Sequence, residues 1–125
     1  MSSLSNVNTA VLGHFGQIPL FGFVDNLIAG PASAQVGATR IKSTMTRLTV
    51  AGVANGSFIL GALSLGGANV PFIVVNDTTA AVKVYCAVGE TMNGAANSFL
   101  AIPSGQVGIF VPYRDSFDWR AAALS

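Results

Sequence analysis

The stretch Val82-Lys83-Val84-Tyr85-Cys86-Ala87-Val88 repeats with a period of two. A strand sends successive side chains to opposite faces, so this spacing predicts a β-strand with Val82, Val84, Cys86 and Val88 on its buried side. Turn formers bracket it, with Asn76-Asp77-Thr78-Thr79 before and Gly89 and Asn93-Gly94 after. Upstream, Val70-Pro71-Phe72-Ile73-Val74-Val75 is a continuous apolar run that reads as a buried strand. Pro71 belongs at its start, where a missing amide donor does least damage. Gly66-Gly67-Ala68-Asn69 turns into that run from Ser57-Phe58-Ile59-Leu60, which itself follows the tight-turn signal Asn55-Gly56. Arg40 to Val50 is rich in Thr and β-branched residues and reads as a half-exposed strand. Downstream, Ser98 to Ile102 resumes the pattern and Pro103-Ser104-Gly105 turns. Val107, Ile109 and Val111 then alternate with Gly108, Phe110 and Pro112. The tail, Asp115 to Ser125, reads either as a last strand or as a short helix from Trp119 to Leu124.

Strands at spacings near ten residues with turns between them predict an all-β fold, an antiparallel β-sandwich or barrel of jelly-roll-like form. Residues 1–37 lack periodicity yet carry Phe15, Ile18, Leu20, Phe21 and Phe23, which fits an extended N-terminal arm with apolar anchors. The expected division is therefore an arm over 1–37 and a β-domain over 38–125.

Composition limits what such a domain can do. The 125 residues carry six Lys+Arg and five Asp+Glu, a net charge of +1, and only 9% are charged against 51% hydrophobic. Soluble domains usually carry roughly 25% charged residues. That much apolar material with almost no net charge excludes a disordered chain. Nearly cancelled charge also argues against a partner held by phosphate contacts, so no nucleic acid is expected. One cysteine, Cys86, excludes an intrachain disulfide framework. Near-neutral charge removes the repulsion that keeps small proteins dispersed, so a subunit of an assembly is expected. Gly61, Gly66, Gly67, Asn69 and Pro71 interrupt the most hydrophobic window, Phe58 to Val75, which argues against a membrane span. Met1 to Val24 lacks the basic n-region of a signal peptide, so the Asn55-Gly56-Ser57 and Asn76-Asp77-Thr78 glycosylation patterns are not expected to be used.

Catalytic chemistry has little to draw on. His14 is the sole histidine, and no Gly-x-Ser-x-Gly elbow accompanies it, so no enzymatic activity is expected. One His and one Cys far apart do not make a zinc site, and no phosphate loop is present, so neither metal nor cofactor is expected. Cys86 reads as a small buried hydrophobe. Asp77 and Glu90 fall at turns, where carboxylates are ordinarily solvated. Two readings stay open for Asp115, Asp118, Trp119 and Arg120: a local ion-pair and stacking cluster with Arg114, or an interface patch. Arg40, Lys42 and Arg47 likewise read either as a solvated strand face or as a basic patch that meets acidic residues of a partner.

The segments Val74-Val75-Asn76-Asp77, Val82 to Gly94, and Phe99-Leu100-Ala101-Ile102-Pro103-Ser104-Gly105 resemble small β-domain structural proteins of tailed bacteriophages. Those domains pair a Val-x-Asn strand end with a Val-Tyr strand and an Asn-Gly turn. They often open with a segment like Gln35-Val36-Gly37-Ala38-Thr39. The resemblance spans roughly residues 33–113. The chain departs from it at Cys86, where Pro is common, and at Leu60-Gly61-Ala62, where Leu-Pro-Ala is commoner. The resemblance implies a virion structural component made in the host cytoplasm, most simply a capsid decoration protein on the capsid exterior. Its partners would be the major capsid protein and itself, a trimer fitting local threefold positions. The alternative is a head or tail appendage that binds a ligand such as host-surface carbohydrate. The candidate contacts are the arm residues Phe15, Ile18, Leu20, Phe21 and Phe23, with Asp118, Trp119 and Arg120 as a second patch.

Overall fold

The computed structural model describes residues 23–25, 27–50, 52–63 and 70–125. The first strands, β1 (Phe23–Asp25), β2 (Gly30–Ala32), β3 (Thr39–Arg40) and β4 (Met45–Leu48), are short. Then come β5 (Gly56–Ile59), β6 (Phe72–Asn76), β7 (Val82–Tyr85), β8 (Thr91–Met92) and β9 (Ala95–Ala96). The chain closes with β10 (Phe99–Ile102), β11 (Val107–Tyr113), a 3-10 turn over Arg114–Ser116 and β12 (Asp118–Leu124). Among the described residues they form two sheets. The larger runs β1-β4-β6-β11-β12-β8-β9, and the smaller runs β10-β7-β5-β2 with β3 beside β5. The all-β sandwich expected from the sequence is the fold, and no closed barrel forms among the described residues.

Three expectations need correction. The sheets are mixed, not antiparallel throughout: β4 runs parallel to β6 and β5 parallel to β7, whereas β6, β11 and β12 pair antiparallel. Arg40 to Val50 is not one strand. Its ends join different sheets, β3 beside β5 and β4 beside β6, and residues 41–44 cross between them. Ile41 anchors the crossing, buried and donating its N–H to the Ile59 carbonyl at 2.9 Å. The expected arm boundary at 37 falls after two strands that belong to the sheets, since β1 extends the larger sheet and β2 the smaller. Phe15, Ile18, Leu20 and Phe21 lie outside the described residues.

The core sits between the sheets. Leu48, Val74, Phe110, Met92 and Trp119 from the larger sheet meet Phe58, Val82, Val84 and Ile102 from the smaller. Phe72 packs edge-on against Trp119, ring centroids 5.8 Å apart. The alternation read in β7 holds for Val82, Val84 and Cys86, all buried. It stops there, because β7 ends at Tyr85 and Val88 sits in the following turn, 71% exposed. Gly108 lies inside β11 facing Ile102 of the other sheet: a Cβ there would stand 2.5 Å from Ile102 Cδ1. Asn93 and Gly94 both take positive φ (52° and 85°) between β8 and β9, as a two-residue hairpin turn requires.

Asn76, fully buried, knots the sandwich at one end. Its Nδ2 donates to the carbonyls of Ala80 and Ile102, both at 2.9 Å. Its Oδ1 accepts from the Thr78 N–H at 3.0 Å and the Thr78 hydroxyl at 2.6 Å. One side chain thus closes the β6–β7 turn and ties it to the end of β10. The Asn76 backbone adds two more bonds to the β10–β11 turn: its N–H donates to the Gln106 carbonyl and its carbonyl accepts from Gly105.

Candidate functional site

The two outer faces of the sandwich differ. The smaller sheet is roofed by its own chain after β2. Ala34 donates its N–H to Ser57 Oγ at 2.9 Å, Gln35 Nε2 donates to the Cys86 carbonyl at 2.7 Å, and Ser57 Oγ donates to the Pro31 carbonyl. Lys83 donates to Ser33 Oγ at 2.8 Å and lies 4.4 Å above the Phe99 ring. These contacts bury Ser57 completely.

The larger sheet has no such roof among the described residues. Register fixes what it shows, because directly paired residues share a face. With Gly108 and Phe110 turned inward, Val107, Ile109, Val111 and Tyr113 point out. Pairing then lays out rows across the sheet: Met45, Ile73, Ile109 and Ala122 in one, Arg47, Val75, Val107 and Leu124 in the next. A third joins Val111 to Arg120. In the register of β1, Phe23 occupies the position next to Met45, at the end of the first row. The interior of the face is Ile and Val, half-buried, and Val111 and Leu124 are exposed. A sheet face turned to water ordinarily alternates to polar residues. Here charge appears only at the margins, as Arg47 paired to Asp77 at 2.8 Å and Arg120 paired to Asp118 at 2.7 Å. Four strands at roughly 4.8 Å and five residues at roughly 3.4 Å give a projected face of roughly 300 Å². Patches of that size on single chains are commonly contact sites.

The expected second patch is corrected by burial. Trp119 is a core residue, 2% exposed, with its indole Nε1 unpartnered among the described residues. Asp118 is also buried and committed: it accepts from the Thr91 hydroxyl, from the Gly94 N–H at 3.1 Å and from Arg120. Burial alone would raise its pKa. The Thr91 and Gly94 hydrogen bonds and the Arg120 charge outweigh that and hold it below the usual carboxylate value. Only Arg120 of the three reaches solvent. The reason is β12: the tail forms a strand that turns Trp119 into the core against Phe72 and sets Asp118 beside Thr91 of β8.

Glu90 is a second correction. It is 5% exposed, with Oε2 accepting from the Leu63 N–H at 2.6 Å and Oε1 lacking a partner among the described residues. A turn position suggested solvent, but the turn folds inward over Cys86, whose thiol donates to the Glu90 carbonyl at 3.4 Å. Cys86 is buried as expected, and burial, aided by the Glu90 charge, pushes its thiol pKa up. Asp77 is exposed, also as expected. Among the described residues no group of three or more His, Cys, Asp and Glu could hold a metal ion, and no helix is long and apolar enough to cross a membrane. His14 lies outside the described residues.

No family model, curated protein or solved structure matches the chain.

The residues that build the outer face were legible singly. Val107, Ile109 and Val111 alternate as one face of a strand, but the alternation does not say which face the other sheet covers. The signal that could have corrected it lay on the opposite face, where Gly108 and Phe110 complement the inward-facing side chains of β6 and β10.

Proposed function

We propose that the chain is a virion structural protein, a capsid decoration protein that docks on the shell of the major capsid protein. The supporting observation is the apolar face of the larger sheet, unroofed among the described residues and centred on Ile73, Val75, Val107 and Ile109. The motif residues behind the phage resemblance also have structural work in this fold. Asn76 knots the β6–β7 turn and Asn93-Gly94 forms a hairpin turn, so the resemblance rests on residues that shape the sandwich.

Energy favours docking in multiple copies. Covering the face buries roughly 600 Å² counting both partners, about 15 kcal/mol gross at about 25 cal/mol per Å². Association itself costs about 4–15 kcal/mol. That area is about half the roughly 1,200 Å² minimum of a stable interface, so one face alone binds weakly, and an oligomer that presents several faces to a repeating lattice gains by avidity. This supports a homo-oligomer on the capsid exterior. The appendage alternative has less support: a carbohydrate site presents aromatics and carboxylates together, and Trp119 and Asp118 are buried in structural roles, leaving Tyr113 and Asp115 exposed.

The test is to mix the purified protein with shells of the major capsid protein encoded by the same genome and image the sedimented particles. Decoration requires many copies arrayed over the lattice and shells that resist heating better than bare ones. Absence from the pellet refutes the proposal, and a few copies confined to one vertex would transfer it to the appendage reading.

A further inference from the structure

We propose that the cleft between β3 and β4 is a carboxylate pocket that receives an acidic side chain of the partner protein, an inference that rests on the docking role above. The cleft has a volume of about 250 Å³ and is lined by Leu27, Thr39, Arg40, Lys42 and Thr46. It opens where the chain crosses from one sheet to the other. Pockets for small organic ligands usually measure roughly 300–1,000 Å³, so this one suits a single side chain.

Charge accounting singles it out. Three other bases are committed: Arg47 to Asp77, Arg120 to Asp118, and Lys83 to Ser33 and the Phe99 ring. Arg40 and Lys42 have no ion pair among the described residues, and both line the same cleft. Gly61 gives Arg40 its place. A Cβ at 61 would stand 2.7 Å from Arg40 Nη2 and 3.2 Å from Cζ, so the guanidinium lies directly over the bare glycine. The hydroxyls are already engaged, Thr39 donating to the Ile28 carbonyl at 2.6 Å and Thr46 to the Ser43 carbonyl at 3.3 Å. Among the described lining residues that leaves a planar guanidinium, an ammonium and the Leu27 side chain. A carboxylate satisfies that set, with two oxygens for the guanidinium and its charge shared with the ammonium. A phosphate shares the chemistry but has a third oxygen for which the spent hydroxyls offer no hydrogen.

Two measurements test this on the full chain. First, free protein is titrated with N-acetylglutamate and, separately, inorganic phosphate, following the amides of Arg40, Lys42 and Gly61 by NMR. Saturable shifts with N-acetylglutamate that vanish in R40Q/K42Q support the pocket. No saturable shift, or tighter saturation by phosphate, overturns it. Second, shell binding of R40Q/K42Q is compared with wild type after confirming equal thermal stability. A loss of roughly tenfold to a hundredfold, with weaker salt dependence, is expected. Undiminished shell binding by the variant overturns the partner assignment and leaves the docking role standing. Wild-type protein that titrates with N-acetylglutamate but binds no shell refutes the docking role and keeps the carboxylate pocket.

Discussion

Replacing Asn76 with alanine removes four hydrogen bonds from a fully buried site. The loss is uneven. The Ala80 carbonyl lies 2.8 Å from the Thr78 hydroxyl, whose proton the loss of Asn76 Oδ1 frees for it. The Ile102 carbonyl and the Thr78 N–H lose the Asn76 side chain as partner. An unsatisfied buried polar group costs about 1–3 kcal/mol, so the two together cost about 4 kcal/mol. Folded domains of this size are stable by only about 5–15 kcal/mol, so a large part of the total goes. Urea unfolding should show Asn76→Ala shifted to a much lower midpoint with an unchanged m-value. Asn76→Asp sharpens the test. It keeps the shape but sets an oxygen against two carbonyl oxygens that Nδ2 now meets at 2.9 Å. The ionised form is penalised, so the folded pKa of the new carboxyl is raised and stability is lost as pH rises. This variant should therefore lie closer to wild type at pH 4 than at pH 7. A cost below about 1 kcal/mol for Asn76→Ala, or an Asn76→Asp deficit equal at both pH values, refutes the reasoning.

Other outcomes follow from single sites. Gly108→Ala puts a methyl 2.5 Å from Ile102 Cδ1 and 3.1 Å from Phe110 Cε1. It should cost about 1–3 kcal/mol in urea unfolding, and Ile102→Val should recover part of that by removing Cδ1. Asp118 has a folded pKa below its ordinary 3.8. Its contribution is present above that value and lost as pH falls through the lower folded one, so wild type should lose more stability than Asp118→Asn below about pH 4. Parallel acid limbs for the two proteins would contradict this. Cys86 is fully buried with a raised pKa. It should be inert to a thiol reagent in the native state at pH 8 and react fully in urea, and rapid native labelling would contradict its placement.

How much the sequence reveals depends on how local each feature is. The alternation at Val82, Val84 and Cys86, the Asn93-Gly94 turn and the position of Pro71 just before β6 are local, and they were legible. The parallel pairing of β4 with β6 and β5 with β7 was not, because neither partner carries a mark of the other's direction. Arg40 to Val50 misled for the same reason: β-branched residues suit a strand, but nothing local says that the chain changes sheets at Ile41. Glu90 and Asp118 read as solvated or open to partners by residue type, yet specific long-range donors, Leu63 N–H and Thr91 Oγ1, let both be buried. Of the candidate site, the apolar residues were visible. Their exposure was not, since it depends on which side of β11 the smaller sheet covers.

The most direct measurement is a reconstruction of decorated shells at side-chain resolution. Ile73, Val75, Val107 and Ile109 should be covered by the major capsid protein or by a neighbouring copy of this chain. Finding those four side chains facing bulk solvent in the assembled particle would contradict the account.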